Sequence, residues 1–273
     1  MSLVQRFPLS SYFALAFTMT WSILSPGVAS TLGWVNFQFD GNLLFALSAL
    51  GPLLAAFIVV GVTEGRAGAH KMLQSIFNWR VKLRWWFTTT FFIAGLFGVS
   101  VMLAGFVGKP TPSIGPVSAF LVMLFFLIVA SFGEEVGWRG FALPLLQERQ
   151  GPFKATLILT LFWWLWHLPV YWIMPFAKEA VQKDGFVTIF VAQFFICLAL
   201  GVVCAWVYNG SRSSILMSVV MHASWNLWQV PFAGQEASVF TLPVFVVFAV
   251  VVVFVTKGKL GFQARSSRIS PPS

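Results

Sequence analysis

Eight runs of apolar residues, each close to the ~20 residues that a helix needs to cross a ~30 Å hydrocarbon core, set the terms on which this chain can fold. They fall at about 12–30, 43–62, 85–106, 116–136, 155–176, 186–208, 213–231 and 238–256. Hydrophobic residues make up 58% of the chain and charged ones 9%, where a soluble domain carries about 25% charged. So little polar surface cannot cover a water-soluble core, and the 31 Phe and 13 Trp suit packing among lipid-embedded helices. A spanning segment must satisfy its own backbone, which in runs of this length means helix. The expected fold is all-α: a polytopic membrane protein with about eight transmembrane helices around a central polar cavity, a single domain over 1–256, and a basic disordered tail over 257–273.

The net charge of +9 is not a nucleic-acid stripe, because the 17 Lys and Arg distribute by loop. Arg6, Arg66, Lys71, Arg80, Lys82, Arg84, Arg149, Lys154, Arg212, Lys257, Lys259, Arg265 and Arg268 all fall on one side of the expected spans. The other side receives Lys109, Lys178 and Lys183, and Arg139 stays within the membrane region. The positive-inside rule then places both termini in the cytoplasm. Reading the first span as a cleaved signal peptide ending near Val28-Ala29-Ser30 would leave an odd number of spans. Residues 61–84 mix basic side chains with Met72, Leu73, Ile76, Phe77 and Trp79, which suits either a helix lying along the interface or a solvated loop. Cys197 and Cys204 are seven residues apart, about 10 Å along a helix, and cannot bridge.

An ionisable side chain at bilayer depth costs about 2.5–3.5 kcal/mol, so the few that remain there are functional candidates. They concentrate in three segments: Gly133-Glu134-Glu135-Val136-Gly137-Trp138-Arg139-Gly140, Trp163-Trp164-Leu165-Trp166-His167-Leu168-Pro169, and His222-Ala223-Ser224-Trp225-Asn226. Glu135 and Arg139 lie one turn apart and can neutralise each other, while Glu134 points about 100° away with no partner on its own helix. His222 and Asn226 form a second such row, of two hydrogen-bond donors. Gly133, Gly137 and Gly140 clear one flank for another helix or a substrate backbone.

Such a set supports amide hydrolysis, which needs a water, a base and donors for the oxyanion. Glu134 is expected as the base with His167 holding the same water, His222 and Asn226 as oxyanion donors, and Glu135 with Arg139 as a brace. A glutamate and two histidines could also coordinate zinc, although no His-Glu-x-x-His stretch is present. Each group has a plainer use: Glu135 and Arg139 as a helix-stabilising pair, His167 bonding a carbonyl freed by Pro169, His222 and Asn226 as interhelical contacts.

At these motifs the chain resembles the CPBP intramembrane proteases, which include the Rce1-type CAAX prenyl endopeptidases and the bacteriocin-immunity proteins. The family pattern is Glu-Glu-x-x-x-Arg, an aromatic four residues before a histidine, then His-x-x-x-Asn. It is matched by Glu134, Glu135 and Arg139, by Trp163 with His167, and by His222 with Asn226. Trp163 stands where the family usually has Phe. The resemblance covers about residues 115–230 and implies eight helices around a conical cavity, with the first glutamate and first histidine activating water. It implies a membrane-associated peptide or prenylated protein as substrate, the lipid bilayer as partner, no nucleic acid, and a prokaryotic cell membrane as the setting. Both glutamate-protease and metalloprotease readings are held in that family, so a divalent metal such as zinc stays open. A non-catalytic membrane scaffold or chaperone, or a proton-coupled transporter using the same groups as a relay, are the competing functions.

Overall fold

The computed structural model describes residues 2–109, 117–229 and 240–263, with the backbone alone over 117–123. The described residues are helical, with no strand among them. The long elements are α1 (Pro8–Thr31), α2 (Gly41–Thr63), α3 (Gly65–Ile76), α4 (Leu83–Phe106), α5 (Val117–Gly137), α6 (Leu143–Gln150), α7 (Pro152–Trp166), α8 (Pro175–Asp184), α9 (Phe186–Gly210), α10 (Ile215–Gln229) and α11 (Thr241–Val255). α1, α2, α4, α9 and the stretch Pro152–Ile173 are long and apolar enough to cross a membrane. Large apolar side chains face outward along them, among them Phe91, Phe106, Leu161 and Val187, as expected where lipid is the solvent. The start of the fourth expected span, the junction over 230–239 and the tail over 264–273 lie outside the described residues.

Lipid gives helices no hydrophobic reason to associate, so close approach and polar contacts hold them. α5 is the centre of the bundle, packed between α2 and α10, and α9 gathers α7, α10 and α11. Small residues permit this. A Cβ at Gly133 would strike the carbonyl of Ala49, one at Gly137 the Tyr12 hydroxyl and Pro52, and one at Gly140 the Ile215 side chain. The cleared flank of α5 is therefore filled by neighbouring helices.

Two expected spans depart from a straight rod. The fourth does not end near 136: a π-turn at Trp138–Ala142 leads into α6, which runs to Gln150. Pro144 has no N–H for the ordinary bond to the carbonyl four residues back, and the wider turn just ahead of it accommodates the loss. The fifth does not run unbroken to 176. α7 stops at Trp166, His167 is its C-cap, and a single turn at Val170–Ile173 precedes α8. Pro169 disfavours helix at the residue before it and supplies no donor, which explains the break.

The basic loops share one end of the bundle. Gln5 donates to Val62 O, Ser75 and Asn78 donate to Ser213 O and Arg212 O, and Asn209 donates to Leu260 O. α3 is amphipathic along the basic stretch, burying Gly68, Met72 and Ile76 while exposing Arg66 and Lys71. Residues 257–263 turn back on the end of α9, where Gly261 sits against Gly210 and Leu260 is fully buried. Cys197 and Cys204 are buried free thiols.

Candidate active site

The polar groups of α5, α7 and α10 meet in the middle of the bundle. Glu134, Glu135 and Arg139 are at most 1% exposed and His222 is 4% exposed, so the cluster is closed to both solvent and lipid. His167 and Asn226 are partly buried and border it.

Glu135 is the hub. Its Oε1 accepts from Arg139 Nη1 at 2.6 Å, one turn along, and from His222 Nδ1 at 2.9 Å, across from α10. A carboxylate oxygen is the acceptor, so Nδ1 of His222 carries the proton and Nε2 is left to face other groups. The expected brace of Glu135 with Arg139 thus extends to a third member, and it orients the imidazole.

Trp163 is the wall the cluster shares. Its Nε1 donates to Glu134 Oε2 at 2.6 Å, and Arg139 Cζ stands 4.6 Å from its ring centroid. His222 meets it edge-on at 5.3 Å between ring centroids, and His167 lies tilted to it at 5.7 Å. Glu134, unpartnered on its own helix, is therefore anchored from α7, and both intramembrane histidines border the indole that anchors it. Trp163→Phe keeps an aromatic wall and withdraws the N–H. A buried oxygen left without its donor costs about 1–3 kcal/mol, so the variant is expected to fold with a lower Tm in detergent. An unchanged Tm would mean that the 2.6 Å contact contributes nothing.

His167 Nδ1 bonds Trp163 O at 2.8 Å, one turn back in the same helix. A carbonyl can only accept, so this nitrogen also carries a proton and Nε2 presents a lone pair in the neutral ring. The plainer use of His167, a bond to a carbonyl near the proline break, is therefore realised, and it leaves the second nitrogen for chemistry. Asn226 Nδ2 donates to Ser131 Oγ at 3.3 Å, which occupies one of its two N–H groups. Ser131, fully buried, was not singled out from the sequence. It lies one turn before Glu135, a spacing that places it in the same row.

As zinc ligands Glu134, His167 and His222 do not gather. Among the described residues no three His, Cys, Asp or Glu side chains are grouped so as to hold a metal ion.

Comparison with known proteins bears on the same segment. The family model described as type II CAAX prenyl endopeptidase Rce1-like matches residues 116–228, the stretch that carries all three motifs. The protein named CAAX prenyl protease 2 from Methanococcus maripaludis is 25% identical over 233 residues, covering 80% of this chain and 82% of that protein. Through residues 116–228 the chain is similar to the Rce1-like type II CAAX prenyl endopeptidases.

Proposed function

We propose that the chain is an intramembrane endopeptidase that hydrolyses a peptide bond near the C-terminus of a prenylated, membrane-associated protein. The observation that carries this reading is a carboxylate and two imidazoles bordering one buried indole, on the three helices of the family's matched segment. Glu134 takes a proton from a water held by His167 Nε2, and the oxygen of that water attacks the scissile carbonyl. The negative charge that forms on the carbonyl oxygen is met by Nε2–H of His222 and the free N–H of Asn226. To donate from Nε2 as well as Nδ1 the His222 ring carries both protons, with Glu135 as its counter-ion. The C–N bond then breaks, and the proton on Glu134 passes to the leaving amine.

The closed cluster implies that peptide enters from the His167 and Asn226 side, where the groups are partly open. The positive-inside rule, applied to the end of the bundle that collects the basic loops, puts that end and both termini in the cytoplasm. That is the side on which prenylated proteins are made.

Purified protein in detergent, offered a prenylated and an unprenylated CAAX peptide, is expected to release a C-terminal tripeptide from the first at a rate at least about tenfold above the second. A lipid chain adds ~0.8 kcal/mol of membrane affinity per buried CH₂. Cleavage of neither peptide would set the reading aside, and equal cleavage of both would remove the prenyl requirement.

A further inference from the structure

A second polar feature lies away from the catalytic cluster, at the end of the bundle that carries the basic loops. It is a cavity of about 470 Å³ at the meeting of the start of α4, the end of α9 with the loop after it, and the residues that follow α11. Lys82, Arg84 and Arg212 line it and no carboxylate does. Among the described residues, none of the three cations is ion-paired. Uncompensated like charges around one hollow repel each other, and an anion between them removes that cost.

The depth and walls narrow the choice of anion. Leu83 opens one membrane-length helix and Gly210 closes another, so the cavity lies at the level where the spans leave the hydrocarbon. Trp85 and Trp206 form its wall, with ring centroids 5.0 Å apart, and the guanidinium of Arg84 stands 5.0 Å from the Trp85 ring. Trp85 is 3% exposed, yet its Nε1 is a buried donor with no partner among the described residues. This ring reaches its seat because position 210 is glycine: a Cβ there would overlap it.

The cavity is also pre-formed. Arg212 and Ser213 both take left-handed backbone conformations, at φ 61° and 57°, which non-glycine residues rarely adopt. Ser75 and Asn78 hold their carbonyls at 2.5 and 3.4 Å, and Ser214 Oγ returns a bond to Asn78 O at 2.6 Å. On the far side Asn209 Nδ2 pins Leu260 O at 3.0 Å.

We propose that this cavity binds a phosphate-bearing group, of the kind an anionic lipid presents at that depth. Two guanidinium forks and an ammonium match phosphate oxygens, and the aromatic wall faces the glycerol and upper acyl carbons. The site is independent of the proposed peptidase reaction.

The test uses the full chain in detergent, titrated separately with phosphatidylglycerol, phosphatidylcholine and inorganic phosphate, with bound ligand counted by native mass spectrometry. Phosphatidylglycerol is expected to be retained by the parent and bound about 100-fold more weakly by the Lys82→Gln, Arg84→Gln, Arg212→Gln triple variant, at roughly fivefold per cation near a membrane surface. All three cations are exposed, so an unchanged Tm in the absence of lipid will show that the triple variant is folded. Competition by millimolar inorganic phosphate supports the site and identifies free phosphate as a sufficient ligand. Competition failing while phosphatidylglycerol still binds supports it with the lipid as the source. Equal retention of phosphatidylglycerol by parent and triple variant, or preference for phosphatidylcholine, overturns the proposal.

Discussion

Glu134→Gln is expected to lower the turnover of a cleaved peptide by about 10²–10⁴-fold, the range over which a positioned general base contributes. Its Tm and KM should stay close to those of the parent. The glutamine has the shape of the glutamate and keeps an amide oxygen that can accept from Trp163 Nε1, as Glu134 Oε2 does at 2.6 Å. It loses only the negative charge and the capacity to take a proton from water. The substitution therefore separates chemistry from architecture, which a larger change such as Glu134→Ala cannot do at a site 1% exposed. Turnover within about twofold of the parent would remove Glu134 from the reaction and favour a scaffold that keeps the fold without catalysis. A proton-coupled transporter predicts something else again: solute uptake into liposomes that disappears in the same variant.

The physical reason that Glu134 could be singled out from sequence is cost. A carboxylate in the middle of an apolar run is expensive enough to draw notice, and the length of such runs against bilayer thickness makes spans visible. The observed α2, α4, α9 and α10 lie within a few residues of where those runs place them. What composition could not convey was how helices are turned towards each other. Nothing in the order of residues says that Trp163 reaches Glu134, or that His222 meets Glu135 while Asn226 meets Ser131, because those bonds depend on the rotation and offset of three separate helices. Family likeness identified the groups and left their pairing open.

Other misses had local signals. Pro169 marked the break after Trp166, although a run of apolar residues on both sides suggested one continuous span. α8 was legible in principle, since Pro175 opens it and Gly185, at φ 83°, ends it, and Lys178, Glu179, Lys183 and Asp184 are too polar for a span. The π-turn at Trp138–Ala142 carried a weaker signal in Pro144.

Glu135→Ala should be the most damaging single substitution for the fold, destabilising by about 3–5 kcal/mol, which is the effect of stripping one partner from a buried ion pair. Glu135 is fully buried and its Oε1 holds both Arg139 and His222. Without it the guanidinium, 1% exposed, keeps its charge with no carboxylate bond, against the Trp163 face. His222 loses the acceptor that sets its orientation. Thermal unfolding in detergent would register the loss as a Tm lowered by roughly 10 °C. The double variant Glu135→Met, Arg139→Met removes the orphaned charge as well as its partner, and buried pairs replaced by apolar groups of similar volume are often near neutral. It is therefore expected to recover most of the Tm. It should not recover turnover, because His222 remains without the carboxylate that positions it and balances its second proton. Recovery of both would mean that Glu135 serves only to neutralise Arg139. Recovery of stability alone separates the brace from the chemistry and places the Glu135–His222 bond in the reaction.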